Sequence, residues 1–272
     1  MVTVNQIIKD IKTIKIQGAT NVALAGVRAW DLSKNKKSTT SKLINARATE
    51  PMLRNCLKAL NSGEYTPDDL KTKIKQDKEK IKEYGLKALP RRKKLIVSTH
   101  CHSGTVTSIL IHAKKTNKKI EVHNTETRPL YQGRTTAKEL AKAKIPVVHY
   151  VDSGALRAMK EADLFMFGAD WISKKGVANK IGTEDIAEVA DHHYHIPIFC
   201  ASHSWKYMPG KVKIEQRDPK EVWPNAPKGI IIKNPAFEIV PAHNIKKIIS
   251  ELGVLSPAQF FKKVEKTYPM LK

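Results

Sequence analysis

From residue 91 onward, the chain repeats one pattern: a short apolar run, a polar cluster, and then a stretch with apolar residues at helical spacing. Each run is rich in Val, Ile and Phe and lacks the polar alternation of a strand that faces water on one side. The six runs are "LIVSTH", "IEVHNT", "VVHYVDS", "LFMFGAD", "PIFCASHS" and "GIIIKN". Strands of this kind, separated by helices, predict an α/β fold with a doubly wound, mostly parallel, Rossmann-like sheet covered by helices on both faces.

Residues 1–90 have a different pattern, in which apolar residues recur at the spacing of amphipathic helices. The stretches concerned are "ATNVALAGVRAW", "SKLINARATEPMLRNCLKAL" and "PDDLKTKIKQDKEKIKEYGLKAL". Pro67 stands at the start of the third stretch, where the first turn of a helix tolerates proline. The sequence therefore predicts two domains: a helical N-terminal domain over residues 1–90 and a Rossmann-like α/β catalytic domain over residues 91–272.

The formal net charge of +23 raises the question of nucleic-acid binding, because clustered lysines neutralise phosphates. The basic residues are instead dispersed along the chain, and no helix-turn-helix, zinc-finger or RNA-recognition signature accompanies them. This distribution favours a solvated, lysine-rich surface over nucleic-acid binding. A surface that meets an acidic or RNA-bearing partner is the alternative.

Cysteine usage and hydropathy indicate the compartment in which the protein is expected. The three cysteines form no CxxC pair, which argues against a disulfide framework or a structural zinc site and indicates a reducing compartment. No run of about 18 apolar residues is present, and the N-terminus lacks an apolar stretch of signal-peptide length. We therefore expect a cytoplasmic protein with no membrane partner.

Polar clusters follow the predicted strands at the points where the strands end. In open parallel sheets, ligands bind in the crevice outside the carboxyl ends of the strands. We therefore expect Cys101, Arg128, Asp152 and Asp170 to converge on one crevice. The first predicted strand is not followed by G-x-G-x-x-G, which argues against a dinucleotide.

Cys101 and Asp170 are the residues of this crevice best suited to proton transfer. Cys101 precedes a helix that Ser103 can cap, and the positive potential at a helix N-terminus lowers the pKa of a thiol. The alternative for Cys101 is a small, buried apolar side chain. Asp170 ends the apolar stretch "DLFMFGAD", where burial raises the pKa of a carboxyl group and lets it act as an acid. The alternative for Asp170 is a helix or turn cap.

Two predicted helix starts could hold phosphate groups through their free backbone amides. Gly18 opens one helix, with the amide of Ala19 available, and Gly182 opens another, with Thr183 as a cap and Lys180 beside it. The cations that could join these amides are Arg47, Arg128 and Lys180. This set suits two phosphates better than one.

Together, the motifs "THCHS", "TETRPLYQG", "VDS", "GAD", "NKIGT" and "NPAFEIVP" resemble those of a family with two kinds of member. It joins the α, β and δ subunits of translation initiation factor 2B with methylthioribose-1-phosphate isomerase and archaeal ribose-1,5-bisphosphate isomerase. The last of these is the most similar. In the isomerases, a strand-end cysteine and an aspartate form the catalytic pair, so the resemblance implies that role for Cys101 and Asp170. The substrate contacts it implies are Gly18, Arg47, Gln132, Asn179 and Lys180, with Arg128 in the same motif as Gln132.

The resemblance implies an aldose–ketose isomerase that converts ribose 1,5-bisphosphate to ribulose 1,5-bisphosphate without a metal or other cofactor. It also implies a homo-oligomer, either a dimer or a hexamer. The alternative is a non-catalytic translation initiation factor 2B-like subunit that binds a nucleotide or a sugar phosphate. Two departures bear on the choice. Gln17 stands where the isomerases usually have an arginine that meets a substrate phosphate, and His203 stands where a glutamate is expected.

Overall fold

A computed structural model describes residues 2–210 and 214–272. Within these residues there are ten strands, most of which form one large sheet. The strands are β1 (Leu95–Thr99), β2 (Ile120–Thr125), β3 (Val147–Tyr150), β4 (Leu164–Phe167), β5 (Trp171–Ser173), β6 (Gly176–Lys180), β7 (Ile198–Ala201), β8 (Phe237–Pro241), β9 (Lys247–Ser250) and β10 (Gly253–Leu255). The seven-stranded sheet has the order β10-β9-β7-β4-β1-β2-β3, with every neighbouring pair parallel except β9 and β10. The prediction of a mostly parallel α/β sheet is confirmed.

Five of the predicted apolar runs form strands of this sheet, at β1, β2, β3, β4 and β7. The sixth prediction is wrong: residues 229–234, "GIIIKN", form a loop in which Ile231 is 87% exposed. The place beside β7 is taken instead by β9, whose sequence "KIIS" is short and begins with lysine. An apolar run therefore identified a strand only where a neighbouring strand was available to bury it.

A second, antiparallel sheet consists of β5, β6 and β8. In β6, Asn179 and Lys180 lie opposite Glu238 and Phe237 of β8. The backbone amide of Asp170, which precedes β5, donates a hydrogen bond to the carbonyl of Ala178 in β6 at 2.9 Å. This small sheet therefore fixes the "NKIGT" motif next to the turn that carries Asp170.

Ten α-helices occur in the described residues, five of them before the first strand. They are α1 (Val4–Lys12), α2 (Ala19–Leu32), α3 (Lys36–Ala46), α4 (Pro51–Asn61), α5 (Pro67–Ala88), α6 (Gly104–Lys115), α7 (Gln132–Lys142), α8 (Ala155–Lys160), α9 (Thr183–Glu188) and α10 (Pro257–Thr267). The stretch "SKLINARATEPMLRNCLKAL" is divided between α3 and α4 because Pro51 fits only the first turn of a helix. None of the helices in residues 2–210 and 214–272 is both long enough and apolar enough to span a bilayer.

Two apolar cores lie on opposite faces of the large sheet. The alternation in β4 shows this, since successive side chains of a strand point to opposite faces and successive residues of β4 belong to different cores. Phe165 and Phe167 pack in the core that contains the N-terminal helices, whereas Leu164 and Met166 pack in the core that contains α6. The side-chain amide of Asn55 in α4 also donates to the carbonyls of Trp205 and Tyr207, at 2.8 and 2.9 Å. The N-terminal helices are therefore packed directly against the sheet, close to its strand ends.

Candidate active site

The backbone around Cys101 is held in an unusual conformation at the end of β1. Cys101 has a φ of 66°, in the left-handed region that non-glycine residues seldom adopt. Its amide donates to the Thr127 hydroxyl at 3.0 Å, and its carbonyl accepts from the Thr136 hydroxyl at 2.9 Å. Two residues later, Ser103 caps α6 as predicted, accepting from the amide of Val106. The backbone of Cys101 is thus held by the segment after β2 and by α7, just before α6 begins.

His100 joins this turn to the "NKIGT" motif, a connection that the sequence did not predict. Its Nε2 donates to the carbonyl of Ile181 at 2.9 Å, so its Nδ1 accepts from the hydroxyl of Thr125 at 2.5 Å. Burial lowers the pKa of His100, in agreement with a neutral ring in this tautomer. Gly182, with a φ of 95°, lies against the ring, where an added Cβ would come within 3.3 Å of Nε2.

The expected lowering of the pKa of Cys101 is wrong. Burial raises the pKa of its thiol to about 11, and the positive charge of Lys180 only partly offsets this effect. The side chain is nevertheless partly exposed, unlike those of Cys56 and Cys200, which are fully buried. Helix α6 begins three residues after the thiol and is capped by Ser103, so desolvation exceeds the effect of the helix terminus. Cys101 is therefore a neutral thiol near pH 7.

Asp170 has the raised pKa that its position predicts. Burial raises the pKa of its carboxyl group, and the charges of Lys206, Lys180 and Arg47 oppose that rise. Lys206 was not predicted from the sequence, although it is almost fully buried and its Nζ donates to the carbonyl of Ala169 at 2.5 Å. A carboxyl group that favours its acid form and three nearby cations thus form a charge cluster around Asp170, which comprises Asp170, Lys206, Lys180 and Arg47.

A second buried carboxyl group, Glu50, lies near the charges of Asp170, Arg47 and Lys206 and was not predicted from the sequence. It stands between α3 and α4, is 4% exposed, and has its Oε1 at 3.6 Å from the Nε of Arg47. Burial raises the pKa of Glu50 to about 7, and the charge of Asp170 adds to this rise. The more exposed Glu215 lies at the edge of the cluster, where its carboxylate accepts from the Thr49 hydroxyl at 3.3 Å.

The start of α9 differs from the phosphate cradle that the sequence predicts. Gly182, rather than Thr183, is the N-cap residue, and the Thr183 hydroxyl donates to the Lys180 carbonyl. The carboxyl group of Glu238 accepts a hydrogen bond from the backbone amide of Glu184. An acidic side chain therefore already takes an amide that an anion would use, and Lys180, rather than the helix terminus, is the group that could attract phosphate here.

The helix start at Gly18 is open. Gly18 has a φ of 82° and no side chain caps α2, so the amides of Ala19 and its neighbour lack a capping partner among the described side chains. Gln17 and Gly18 are exposed. No hydrogen bond or ion pair of the described residues joins this helix start to Cys101 or Asp170, so Gly18 and Ala19 remain predicted contacts.

Asp152 and Arg128 have structural partners. The Asp152 carboxylate accepts from the amides of Thr127 and Arg128 at 2.8 and 2.6 Å. The Arg128 guanidinium donates to the Tyr131 hydroxyl at 2.8 Å and to the Val222 carbonyl at 3.1 Å. Asp152 therefore shapes the "TETRP" turn, and the charge of Arg128 is exposed at the surface.

The remaining predicted contacts are the amides Gln132 and Asn179. Gln132 opens α7, and its buried Oε1 has no hydrogen-bond partner among the described residues. The side-chain nitrogen of Asn179 donates to the Thr183 hydroxyl at 3.0 Å, which ties β6 to α9. Gln132 therefore has an acceptor available to a ligand, whereas the side-chain nitrogen of Asn179 is engaged in the turn.

His203 belongs to a buried polar network rather than to the cleft cluster around Asp170. Within the described residues, Asp77, His203 and Glu251 are the one group of three or more potential metal ligands whose atoms lie close together. Their atoms have partners already: the Nζ of Lys73 is 2.7 Å from Asp77, and the Nε2 of His203 is 3.1 Å from the same carboxylate. Glu251 accepts from the amide of Ser204 at 3.0 Å. The network links α5 to the segment after β7.

Comparison with known proteins gives a consistent assignment. Residues 13–257 match the sequence profile of the Initiation factor 2 subunit family. A ribose 1,5-bisphosphate isomerase from Pyrococcus furiosus is 35% identical over 93% of this chain and 90% of its own length. A methylthioribose-1-phosphate isomerase from Desulforamulus reducens is 37% identical over 67% of this chain and 58% of its own length. A crystal structure of the translation initiation factor eIF-2B from Pyrococcus horikoshii OT3 has a TM-score of 0.80 at 25% identity, covering 93% of this chain and 97% of that chain. The profile spans most of the sequence, and the chain therefore belongs to the Initiation factor 2 subunit family.

Proposed function

We propose that this protein is an aldose–ketose isomerase of a phosphorylated ribose, and that it converts ribose 1,5-bisphosphate to ribulose 1,5-bisphosphate. One observation carries the proposal: Cys101 and Asp170 follow the ends of the adjacent strands β1 and β4, and the charge of Lys180 acts on the pKa of both. The similarity to two sugar-phosphate isomerases supports the reaction class. The Pyrococcus furiosus relative, which is matched over nearly its whole length, supports the bisphosphate as the substrate.

The first chemical step is ring opening. The bond between carbon 1 and the ring oxygen breaks, and the ring oxygen takes up a proton. Asp170 is suited to supply this proton because burial raises the pKa of its carboxyl group and favours the acid form. A hydrogen then moves from carbon 2 to carbon 1 and the hydroxyl on carbon 2 loses its proton, which completes the ketose and balances the proton that Asp170 gave.

We assign to Cys101 the carbon-bound proton of carbon 2 if the hydrogen leaves as a proton, with the hydroxyl proton returning to the ionised Asp170, and the hydroxyl proton itself if the hydrogen moves as a hydride. The thiol is neutral near pH 7 and must first lose its own proton to solvent water, which its partial exposure permits, and the charge of Lys180 stabilises the resulting thiolate. Two routes use the same side chains. If the carbon-bound hydrogen leaves as a proton, carbon 1 receives a proton from an exchangeable group; if it moves as a hydride, the original hydrogen is retained on carbon 1.

The phosphates and hydroxyl groups of the sugar require further contacts. We propose that the open helix start at Gly18 and Ala19 binds one phosphate through backbone amides and that Lys180, beside Asn179, attracts the other. The buried, unpartnered Oε1 of Gln132 is suited to accept a hydrogen bond from a sugar hydroxyl. Arg128 adds positive charge at the surface near the start of α7.

A non-catalytic, ligand-binding subunit is the second candidate function. The TM-score of 0.80 with a protein described as a translation initiation factor favours it, as does the neutral Gln17 at the open helix start. Such a protein would use the same cleft to bind a nucleotide or sugar phosphate without converting it. The two functions differ in whether a bound sugar phosphate is released as a ketose.

The deciding experiment is incubation of the purified protein with ribose 1,5-bisphosphate, ribose 5-phosphate and methylthioribose 1-phosphate, followed by NMR for ketose formation. We expect ribulose 1,5-bisphosphate from the first compound. A run in deuterated water also separates the two routes, because proton transfer places deuterium on carbon 1 and a hydride shift does not. Tight binding of all three compounds with no ketose from any of them would favour the ligand-binding subunit.

A further inference from the structure

Arg47 and Glu50 each leave a buried polar atom without a hydrogen-bond partner. Among the described residues, the Nε of Arg47 and the Oε2 of Glu50 have no such partner. The remaining carboxylate oxygen of Glu50 lies 3.6 Å from Nε, which is an ion-pair contact too long for a hydrogen bond. The Glu50 side chain is buried, with an exposed fraction of 5%, and the Arg47 side chain is partly exposed, at 14%. An uncompensated donor and an uncompensated acceptor therefore stand side by side.

Buried polar groups without partners are costly, and native proteins usually satisfy them. A pair consisting of one free donor and one free acceptor matches a group that can both accept and donate a hydrogen bond. A hydroxyl group has this property, whereas a fully ionised phosphate only accepts. The pair lies near Asp170, where the proposed function places the sugar, so the hydroxyl groups of the sugar are the nearest groups of this kind.

We propose that Arg47 and Glu50 form a hydroxyl-recognition pair, in which Nε of Arg47 donates to a ribose hydroxyl and that hydroxyl donates to Oε2 of Glu50. The inference rests on the proposed function, since it takes the ligand to be a phosphorylated ribose. It gives Arg47 a different role from the phosphate contact that its charge alone indicates. In this arrangement, Lys180 and the open helix start at Gly18 bind the phosphates.

The surrounding charges favour a hydroxyl over a phosphate at this position. The carboxylate of Glu50 offsets the charge of Arg47, and Glu215 adds further negative charge nearby. A phosphate dianion at Arg47 would meet both carboxylates. A hydroxyl carries no charge, so the same carboxylate attracts it as a hydrogen-bond donor.

The test measures ligand binding at pH 8, above the Glu50 pKa of about 7, so that its carboxylate is ionised. The ligands are ribose 5-phosphate, its 2-deoxy and 3-deoxy analogues, and inorganic phosphate. In the wild type, we expect removal of one of these hydroxyls to weaken binding about tenfold or more, the usual effect of losing a hydrogen bond to a charged group. In Glu50→Ala, the discrimination between the parent sugar and that deoxy analogue should fall several-fold, because the hydroxyl then has only the Arg47 contact, and inorganic phosphate should bind at least as well as in the wild type.

Two further variants complete the design. Glu215→Ala is the matched control, because it removes a neighbouring carboxylate and should leave the discrimination between ribose and the deoxy sugar intact. Glu50→Gln retains the shape of the side chain if Glu50→Ala does not fold. Because its amide oxygen is a neutral acceptor, Glu50→Gln should reduce the discrimination less than Glu50→Ala does.

The inference is overturned if no deoxy analogue binds more weakly than ribose 5-phosphate in the wild type, or if the discrimination is the same in Glu50→Ala. It is also overturned if Arg47→Ala weakens inorganic phosphate and ribose 5-phosphate equally, since Arg47 would then be a phosphate contact. Turnover is measured separately with ribose 1,5-bisphosphate. Ketose formation without hydroxyl discrimination would contradict the hydroxyl-recognition pair and support the proposed isomerase. Discrimination without ketose formation would support the pair and contradict the proposed isomerase.

Discussion

The carboxyl group of Glu238 accepts a hydrogen bond from the backbone amide of Glu184, and so an acidic residue of β8 caps the start of α9. Burial raises the pKa of Glu238 from its ordinary value of 4.5 to about 7, with Asp185 and Glu184 adding negative charge. The folded protein therefore holds this proton more tightly than the unfolded chain does. The resulting stabilisation is fully present below about pH 4.5 and is lost as the pH rises through about 7.

Replacement of Glu238 by glutamine should remove this pH dependence. We expect the free energy of unfolding of the wild type to fall between pH 5 and pH 8 relative to that of Glu238→Gln, because the variant has no proton to release. Urea unfolding at both pH values measures the difference. Glu64→Gln, at an exposed position, is the control. Parallel pH profiles for Glu238→Gln and the wild type would show that Glu238 does not titrate in this range.

Alkylation with iodoacetamide should modify Cys101 alone in the folded protein. Cys56 and Cys200 are fully buried, whereas Cys101 is partly exposed. The reaction rate should follow a thiol with a pKa of about 11 and should fall several-fold at pH 9 in Lys180→Met, because loss of the positive charge raises the thiol pKa further. Mass spectrometry identifies the modified residue. Rapid modification at pH 7 would contradict the raised pKa.

Cys101→Ser and Asp170→Asn should each reduce the turnover of ribose 1,5-bisphosphate by on the order of 100-fold or more, the usual effect of removing a general acid or base. Both changes preserve side-chain size, so we expect circular dichroism and substrate affinity to change little. The rates are measured by the NMR assay for ketose formation. Near-native turnover in either variant would exclude that residue from the proposed chemistry.

Lys180→Ala should weaken the binding of ribose 1,5-bisphosphate about tenfold or more, because a charge-assisted contact in a cleft is worth far more than a solvated surface charge. Lys75→Ala, at an exposed position on α5, is the matched control and should change affinity less than twofold. Calorimetry at constant ionic strength measures both. Equal losses in the two variants would indicate diffuse electrostatic attraction and would support a polyanionic partner.

Gln17→Arg should tighten the binding of ribose 1,5-bisphosphate by about 1 kcal/mol, because hydrogen bonds to charged groups are worth more than those between neutral groups. The residue is exposed beside the open start of α2, so an arginine there fits without repacking. Affinity is measured by calorimetry, with Gln17→Met as the control for side-chain length. Weaker binding in Gln17→Arg would show that this helix start does not receive a phosphate and would favour the nucleotide-binding subunit.

The fold was predictable where burial depends on local sequence. The runs "LIVST" and "LFMF" contain no charge and form the central strands β1 and β4. The run "GIIIKN" contains three consecutive isoleucines, yet it lies in a loop, because sheet position depends on which partner strand is available. Strand β9 was missed for the opposite reason: "KIIS" is short and lysine-flanked, and its burial comes from pairing with β7.

The candidate site was predictable to the extent that strand ends collect polar residues. The charge of Lys180 lowers the pKa of both Cys101 and Asp170, although burial has the larger effect on each. The pKa of Cys101 was predicted in the wrong direction because desolvation comes from residues distant in the sequence. Glu50 and Lys206 were missed because an isolated charged residue in a helical or loop segment gives no local signal, and only the tertiary fold buries them.

His100 gives the cleft a mechanical property. Its ring bonds on one side to β2 and on the other to the turn that carries Lys180 and Gly182, and the next residue in the chain is Cys101. A displacement of the Lys180 turn would therefore be passed through the imidazole ring of His100 to the backbone of Cys101. In the proposed isomerase, a substitution that moves the Lys180 turn would therefore also move Cys101, so phosphate binding and proton transfer would have to be optimised together.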